Sequence, residues 1–519
     1  MSKRLLIPLA KSLSFMIGFI SLGTETLWIR TFSFQTSSIA KAVPFILGIY
    51  LVGIGMGAAL GSRICKRERD FSTIVVASLF GGAVAISLGP ALLAITSLKF
   101  GASSLVAKTL SASLAFVPAC LFAICFPICH HMGTTVGPGI TGRSMSKIYA
   151  ANIAGSVLGP SFVNFVLLQL GTTQLAFALL GLLAAGACFG VAVCMNSQAR
   201  HRAAVISSVA LIAVASVFGA AKTKNWLIAG LSTLHDPIRH IVETRQGIAI
   251  SYKEETGGDL IYGANVYDGR ANLDPRINSN GINRVLVLAA LRPRPERVLM
   301  IGLSIGSWNY LITGFPGVQQ IDIVEINPGY IDLIQDYPLQ LAALADSRVR
   351  LTIGDGRKFL RTIPEGTYDL VVMNTTYYWR SYSSLLLSRE FLSLLRSRTA
   401  PSGLVAYNLT GSADALYTAA SVFKHAYLYD NFAICANFDW RRNLDKANSV
   451  DELINVRPRG PPLLTDSDRP LLAEFLSRSH TATLAEVAAE IRRPLELITD
   501  RNLITEYKYG TPLIGRVGY

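Results

Sequence analysis

The stretch Arg297-Val-Leu-Met-Ile-Gly-Leu-Ser-Ile-Gly-Ser-Trp308 decides the fold. The apolar run Val298 to Ile301 reads as a strand buried on both faces, as in parallel sheets. Gly302-Leu-Ser304-Ile-Gly306 then turns the chain into a helix. Working outward, further strand-like runs end in polar residues: Ile321-Asp-Ile-Val-Glu325, Val349-Arg-Leu-Thr-Ile353 before Gly354-Asp355-Gly356-Arg357, and Tyr368-Asp-Leu-Val-Val-Met373 before Asn374. Strands alternating with helices predict a doubly wound, Rossmann-like α/β sheet, whose ligands bind beyond the carboxyl ends of the strands where their order reverses. Glu325 stands about twenty residues past the glycine turn, where a carboxylate meets ribose hydroxyls. The third glycine of the dinucleotide fingerprint is missing, so a nucleoside without a pyrophosphate is expected.

On the N-terminal side of this sheet, 236–285 reads as a small β segment. Ile248, Ile250 and Tyr252 alternate, Gly257-Gly258 turns the chain, and Ile261, Ala264 and Val266 resume it. The sheet domain is assigned to 286–455, with Ser402-Gly403 turning into a later strand, Leu404 to Asn408. The proline-rich stretch Arg457 to Pro462 reads as a linker. A C-terminal extension, 456–519, carries helical spacing at Leu471 to Leu476 and Leu484 to Ile491.

The first 222 residues have a different texture. Of 519 residues only 16 % are charged, the net charge is +14 and the mean hydropathy is +0.40, which excludes a purely cytosolic enzyme. About seven runs are long enough to cross a bilayer: Leu5 to Ile29, Val43 to Gly61, Thr73 to Leu98, Leu105 to Ile128, Ile148 to Leu170, Thr173 to Val193 and Ala203 to Gly219. Gly53, Gly55, Gly57 and Gly61, with Gly155 and Gly159, offer small faces for close helix packing. Glu25 is expected to pair with Arg30, and Tyr149, Asn152 and Asn164 to bond between helices. Arg63, Lys66, Arg67 and Arg69, Arg143 with Lys147, and Arg200 with Arg202 mark cytoplasmic loops. Seven spans counted from an inside start put the soluble half outside. Cys125, Cys129, His130 and His131 lack the second ligand pair of a zinc site, so no metal is expected. The basic residues flank the spans and form no stripe, which fits an anionic membrane surface and excludes a nucleic-acid partner.

Val298 to Ser307, Val324-Glu-Ile-Asn-Pro328, Arg348-Val-Arg350, Gly354-Asp-Gly-Arg357, Ser388-Arg-Glu-Phe391 and Tyr267-Asp-Gly269 resemble the spermidine synthase family of aminopropyltransferases, built on the sheet of the S-adenosylmethionine-dependent methyltransferases. The likeness runs from about His240 to Asn408. The N-terminal half, with Glu25-x-x-Trp28-x-Arg30 and Tyr149-x-x-Asn152-x-x-Gly155, is similar to membrane-fused bacterial members. The resemblance implies S-adenosylmethionine or its decarboxylated form as co-substrate, held by Gly302, Ser304, Gly306, Glu325 (ribose), Asp355 (adenine amino group) and Gly356. It implies a multi-pass protein of the bacterial inner membrane; the cofactor chemistry is expected in the cytoplasm, which requires one of the seven spans to be miscounted, re-entrant or paired with a short segment around Trp226 to Leu234. The expected partners are the bilayer, a small amine or membrane-borne acceptor, and a second copy of the chain.

Departures fall on the acceptor side. Ile305 and Asn374 replace two aspartates of the family, Asn272 replaces a glutamine, and the family's Tyr-His-Glu is missing around Asn283. A primary amine is protonated at neutral pH, so amine transfer needs a proton acceptor, and Asn374 is not one. Asp268 and Tyr377 join Asn374 as catalytic candidates. Asn272, Tyr378, Trp379 and Arg380 are substrate-binding candidates, the aromatics for a sulfonium and Arg380 for an anionic group. Methyl transfer to a lipid or membrane-borne acceptor, and a non-catalytic nucleoside-binding transporter or sensor, stand as alternatives to aminopropyl transfer.

Overall fold

The computed structural model describes residues 3–67, 71–138, 140–195, 208–209, 225–234, 236–459 and 463–513. Among them six helices are long and apolar enough to cross a membrane. They are α1 (Lys3–Gln35), α2 (Ala42–Cys65), α3 (Phe71–Phe100), α4 (Leu105–Gly133), α5 (Thr141–Phe162, continued through a π turn to Leu170) and α6 (Thr173–Met195). The seventh expected run, Ala203 to Gly219, falls almost wholly outside the described residues.

Small residues set the helix contacts. A Cβ on Gly155 or Gly159 would collide with the carbonyls of Phe15 and Phe19 on α1, and one on Gly57 or Gly61 with those of Cys120 and Ile124 on α4. Asn152 donates to the Ser14 carbonyl across the α1–α5 contact at 2.9 Å. Asn164 departs from expectation by bonding within its own helix, donating to the Pro160 carbonyl at 3.1 Å. Tyr149 lies half exposed on the outside of the bundle. Cys125 and Cys129 are buried in its core, while His130 and His131 pack edge-on against Phe126 and Phe71.

The turns sort onto two faces. Gln35 at the end of α1 donates to Ala102 between α3 and α4, and Ser14 near its start donates to Ile148 early in α5. The soluble half docks on the first of these faces. Arg30 does not pair with Glu25. It reaches out of the bundle to the Thr244 carbonyl at 2.7 Å, to the Thr173 hydroxyl at 3.0 Å and towards Glu243 at 3.9 Å. Glu243 in turn accepts from the Thr173 amide at 2.9 Å. A buried guanidinium needs such partners, and the docked strand supplies more of them than Glu25, which lies on the same helix.

The β segment is a four-stranded antiparallel meander of β1 (Ile238–Glu243), β2 (Ile248–Tyr252), β3 (Leu260–Gly263) and β4 (Val266–Arg270). All five residues of β2 are buried, so its alternation does not separate an inside from a wet face. Ile248, Ile250 and Tyr252 join the core of the bundle, and Ala249 joins the core of the large sheet. The β3–β4 turn at Ala264-Asn265 has both residues at positive φ, as a two-residue hairpin requires. Asn265 holds it to the bundle by donating to Leu231 and accepting from the Thr233 amide, each at 3.0 Å.

The large sheet comprises β5 (Arg297–Ile301), β6 (Gln320–Glu325), β7 (Val349–Ile353), β8 (Tyr368–Met373), β9 (Thr399–Asn408), β10 (His425–Tyr429), β11 (Phe432–Ala436) and β12 (Thr481–Ala482). Its order is β7-β6-β5-β8-β9-β11-β10-β12, with β5 to β9 parallel and the rest antiparallel. The order reverses between β5 and β8, which opens the crevice there. The C-terminal extension is not purely helical, since β12 adds an edge strand to β10.

Candidate functional site

The β5 turn is shaped by its backbone. Gly302 sits at φ +87°, where a Cβ would lie 2.7 Å from the Asn374 carbonyl oxygen, so the ends of β5 and β8 meet only around a glycine. Ser304 follows at φ +48° and Gly306 at φ +79°, and the helix Ser307–Thr313 starts there. Strain of this kind gathers where a ligand is held.

Glu325 ends β6 almost fully buried, with one carboxylate oxygen accepting from the Leu303 amide at 2.7 Å and the other from the Asn327 amide at 2.8 Å. Burial pushes its carboxyl up to about 7 against the pull of those amides. Asp355 caps the helix Gly356–Leu360 by accepting from the Lys358 amide at 2.7 Å. Gly356 packs where a Cβ would meet Ile301.

Two adjoining cavities lie along these strand ends. The larger, of about 320 Å³, is lined by Gly302, Ser304, Glu325, Asn327, Tyr330, Asp355 and Gly356, with Arg357 and Arg380 at its border. The smaller, of about 180 Å³, runs the other way between Tyr267, Asn280, Arg284, Trp308, Tyr377 and Asn431. Asp268, Ser304, Asn374 and Thr376 line both. Burial raises the Asp268 carboxyl above its ordinary range, opposed by Tyr330, Ser304 and Arg380 beside it. The Asn374 carboxamide has no protein hydrogen-bond partner among the described residues, and its backbone amide bonds to Ile301 at 2.8 Å.

The sequence candidates divide accordingly. Gly302, Glu325, Asp355, Gly356 and Arg380 line the larger cavity, Tyr377 the smaller, and Asp268, Ser304 and Asn374 both. Gly306, Asn272, Tyr378 and Trp379 line neither. Asn272 closes a local turn with Asp274, accepting from its amide at 2.9 Å. Trp379 is buried against the membrane bundle and stacks on Tyr377, and Tyr378 packs beside it. Arg380 donates to the Thr376 hydroxyl at 2.6 Å and pairs through its backbone with Ile39 of the α1–α2 turn. Residues 499–507 return to this rim: Asp500 pairs with Arg357 and accepts from Ser388, while Glu506 accepts from the Tyr382 and Ser384 amides, both at 2.9 Å.

Sequence reasoning missed Tyr330, Thr376 and Arg284. Tyr330 follows Glu325 within one turn, which was a usable signal. Arg284 sits where the family's Tyr-His-Glu is missing, so only the gap was visible.

Residues 285–420 match the profile of the spermine/spermidine synthase domain. Polyamine aminopropyltransferase 2 of Streptomyces coelicolor is 30% identical over 292 residues, 53% of this chain and 50% of the relative. Spermidine synthase 2 of Hyoscyamus niger is 28% identical over 200 residues, 37% of this chain and 61% of the relative. Putrescine N-methyltransferase 3 of Nicotiana tabacum is 31% identical over 114 residues, 22% of this chain and 30% of the relative. The chain thus spans less than two thirds of the length of these relatives. Among solved structures, spermidine synthase from Thermotoga maritima aligns with a TM-score of 0.36 at 12% identity, covering 46% of this chain and 88% of that one.

Proposed function

We propose, from the spermine/spermidine synthase domain that residues 285–420 carry, that the protein is a membrane-embedded transferase. It moves the aminopropyl group of decarboxylated S-adenosylmethionine to an amine. The nucleoside occupies the larger cavity, with Glu325 on the ribose hydroxyls, Asp355 towards the adenine, and Gly302, Ser304, Gly306 and Gly356 letting the backbone approach. The acceptor occupies the smaller one. The observation that carries this reading is the shared wall: Asp268, Ser304, Asn374 and Thr376 border both cavities, so donor carbon and acceptor nitrogen meet there.

In the transfer step the amine lone pair attacks the aminopropyl carbon next to the sulfonium. The carbon–sulfur bond breaks with its electron pair going to sulfur, and methylthioadenosine leaves neutral. The proton that the amine must lose goes to Asp268, whose raised affinity for a proton suits it to the base role that Asn374 cannot fill. Asn374 and Tyr377 orient the nucleophile, and alignment across the wall supplies much of the remaining rate. Arg380 beside Asp268 favours its charged form, against the larger effect of burial.

The likeness to putrescine N-methyltransferases makes methyl transfer the competing reading. Asp268→Asn is expected to cut turnover about a hundredfold or more while methylthioadenosine, followed by calorimetry, binds within a few-fold of the parent. Unchanged turnover would remove Asp268 from the mechanism.

For the membrane half we propose that the helices span a bacterial inner membrane, with the soluble half on the face opposite the basic turns. Arg63, Lys66 and Arg67 end α2 and Arg143 and Lys147 begin α5, on the face away from the docked soluble half. Basic turns face the cytoplasm, so the soluble half faces the other way. This replaces the expectation of a cytoplasmic transferase domain, which rested on the chemistry alone.

A further inference from the structure

Resting on the transfer reading above, the smaller cavity also states what kind of amine it takes. Its charged lining consists of one carboxylate, Asp268, and one guanidinium, Arg284. Asp268 borders the donor cavity. Arg284 instead borders the open hollow beyond, among Asn278, Ser279 and Asp430. The two charges therefore stand towards opposite ends.

Arg284 is held firmly. Its Nε donates to the Gly281 carbonyl at 2.7 Å, Nη2 to that of Asn280 at 3.0 Å, and Nη1 to the Asn431 side chain. The guanidinium lies 4.7 Å from the Phe432 ring centre and 5.9 Å from that of Trp308. Among the described residues no carboxylate oxygen lies within 4.0 Å of it. Asp430, the nearest acid in charge terms, is engaged elsewhere, with His480 at 2.7 Å and Asn283 at 2.9 Å. Removal from water lowers the Arg284 pKa to about 10, and the charge of Asp430 offsets this only in part.

A diamine fits this arrangement badly. With one nitrogen at Asp268, its second ammonium would face a guanidinium in a partly dry cavity, where like charges repel strongly. An amine with an anionic group at its other end meets opposite charges at both ends, and a guanidinium fork matches carboxylate and phosphate oxygens. We propose that the acceptor is a small amine bearing a carboxylate or phosphate, and that Arg284 is the residue that selects it. The bond changes are those of the transfer step above; the anionic group takes no part in them.

The test uses the full chain in detergent with decarboxylated S-adenosylmethionine, and compares putrescine with γ-aminobutyrate, which has a carboxylate in place of the second aminomethyl group. Phosphoethanolamine and phosphatidylethanolamine vesicles separate a soluble source of the same chemistry from a lipid headgroup. We expect methylthioadenosine release to favour an anionic amine over putrescine by roughly tenfold or more. Arg284→Gln should raise KM for that amine by a similar factor while leaving KM for putrescine unchanged or lower, and Arg284→Lys should keep most of the preference. Methylthioadenosine binding by both variants checks that they fold. Preference for putrescine by the parent, with the ratio unmoved in Arg284→Gln, overturns this inference and leaves the transfer reading standing. Absence of any thioether nucleoside from every acceptor, with donor bound, overturns both.

Discussion

Glu325 is where a single side chain ties binding to pH. Burial outweighs the backbone amides that hold it and pushes its carboxyl up to about 7. The ionised form accepts from ribose hydroxyls and the protonated form does so poorly, so bound nucleoside pulls the pKa down. Methylthioadenosine affinity should therefore be near its plateau above pH 8 and fall as pH drops through about 7, by up to about tenfold per unit. Glu325→Gln should bind weakly with a flat profile; calorimetry across pH 5.5 to 8.5 reads both. A flat profile in the parent protein would remove Glu325 from the ribose. This residue was legible because a carboxylate at the end of the second parallel strand has one common use. Asp268 was legible only as a candidate, since nothing local in Tyr267-Asp268-Gly269 says that it faces two cavities at once. Arg284 was illegible because its meaning depends on Asp430 being occupied by His480 and Asn283, partners scattered along the chain.

At the scale of elements, the glycine turn after β5 carries the site and is the part most sensitive to backbone change. Gly302→Ala would place a methyl group 2.7 Å from the Asn374 carbonyl at a φ of +87°, costing about 1–3 kcal/mol and pushing β5 and β8 apart. Thermal unfolding in detergent should show a lower Tm, and nucleoside affinity should fall with it. An unchanged Tm would mean that the turn is looser than it looks. The parallel strands β5, β6 and β8 were read correctly from their apolar runs because both faces are covered by the domain itself, whereas the edge strand β7 stays largely exposed. The alternation in β2 misled for a related reason: its second face is covered too, by the membrane bundle, and periodicity does not tell a protein neighbour from water. Trp379 and Tyr378 were readable equally as aromatics over a sulfonium or as a packed lid over the sheet, and they pack, both against the helical bundle and Tyr378 also against the sheet. The returning C-terminal segment could be placed only once the chain had folded.

At the scale of the whole molecule, the bundle and the large sheet keep separate cores and are joined through Arg30, Asn265, the β2 face and the Ile39–Arg380 bridge. The helical bundle thus braces the loop that borders the larger cavity. Sidedness follows from charge. Glu365→Cys, on the exposed surface of the soluble half, should react with a membrane-impermeant maleimide in intact spheroplasts, whereas Cys194 at the far end of α6 should react only after lysis. The reverse pattern would put the transferase domain in the cytoplasm. Composition alone divided the chain into two halves, but it gave no hint that the small meander packs on both, with Ile248, Ile250 and Tyr252 in the core of the bundle and Ala249 in that of the large sheet. The central claim is that the shared wall joins an aminopropyl donor to an amine. Mass analysis of the nucleoside released by the purified protein, offered decarboxylated S-adenosylmethionine and S-adenosylmethionine together with amine acceptors, tests it most directly. The account predicts methylthioadenosine with an aminopropylated amine; S-adenosylhomocysteine with a methylated product would contradict it.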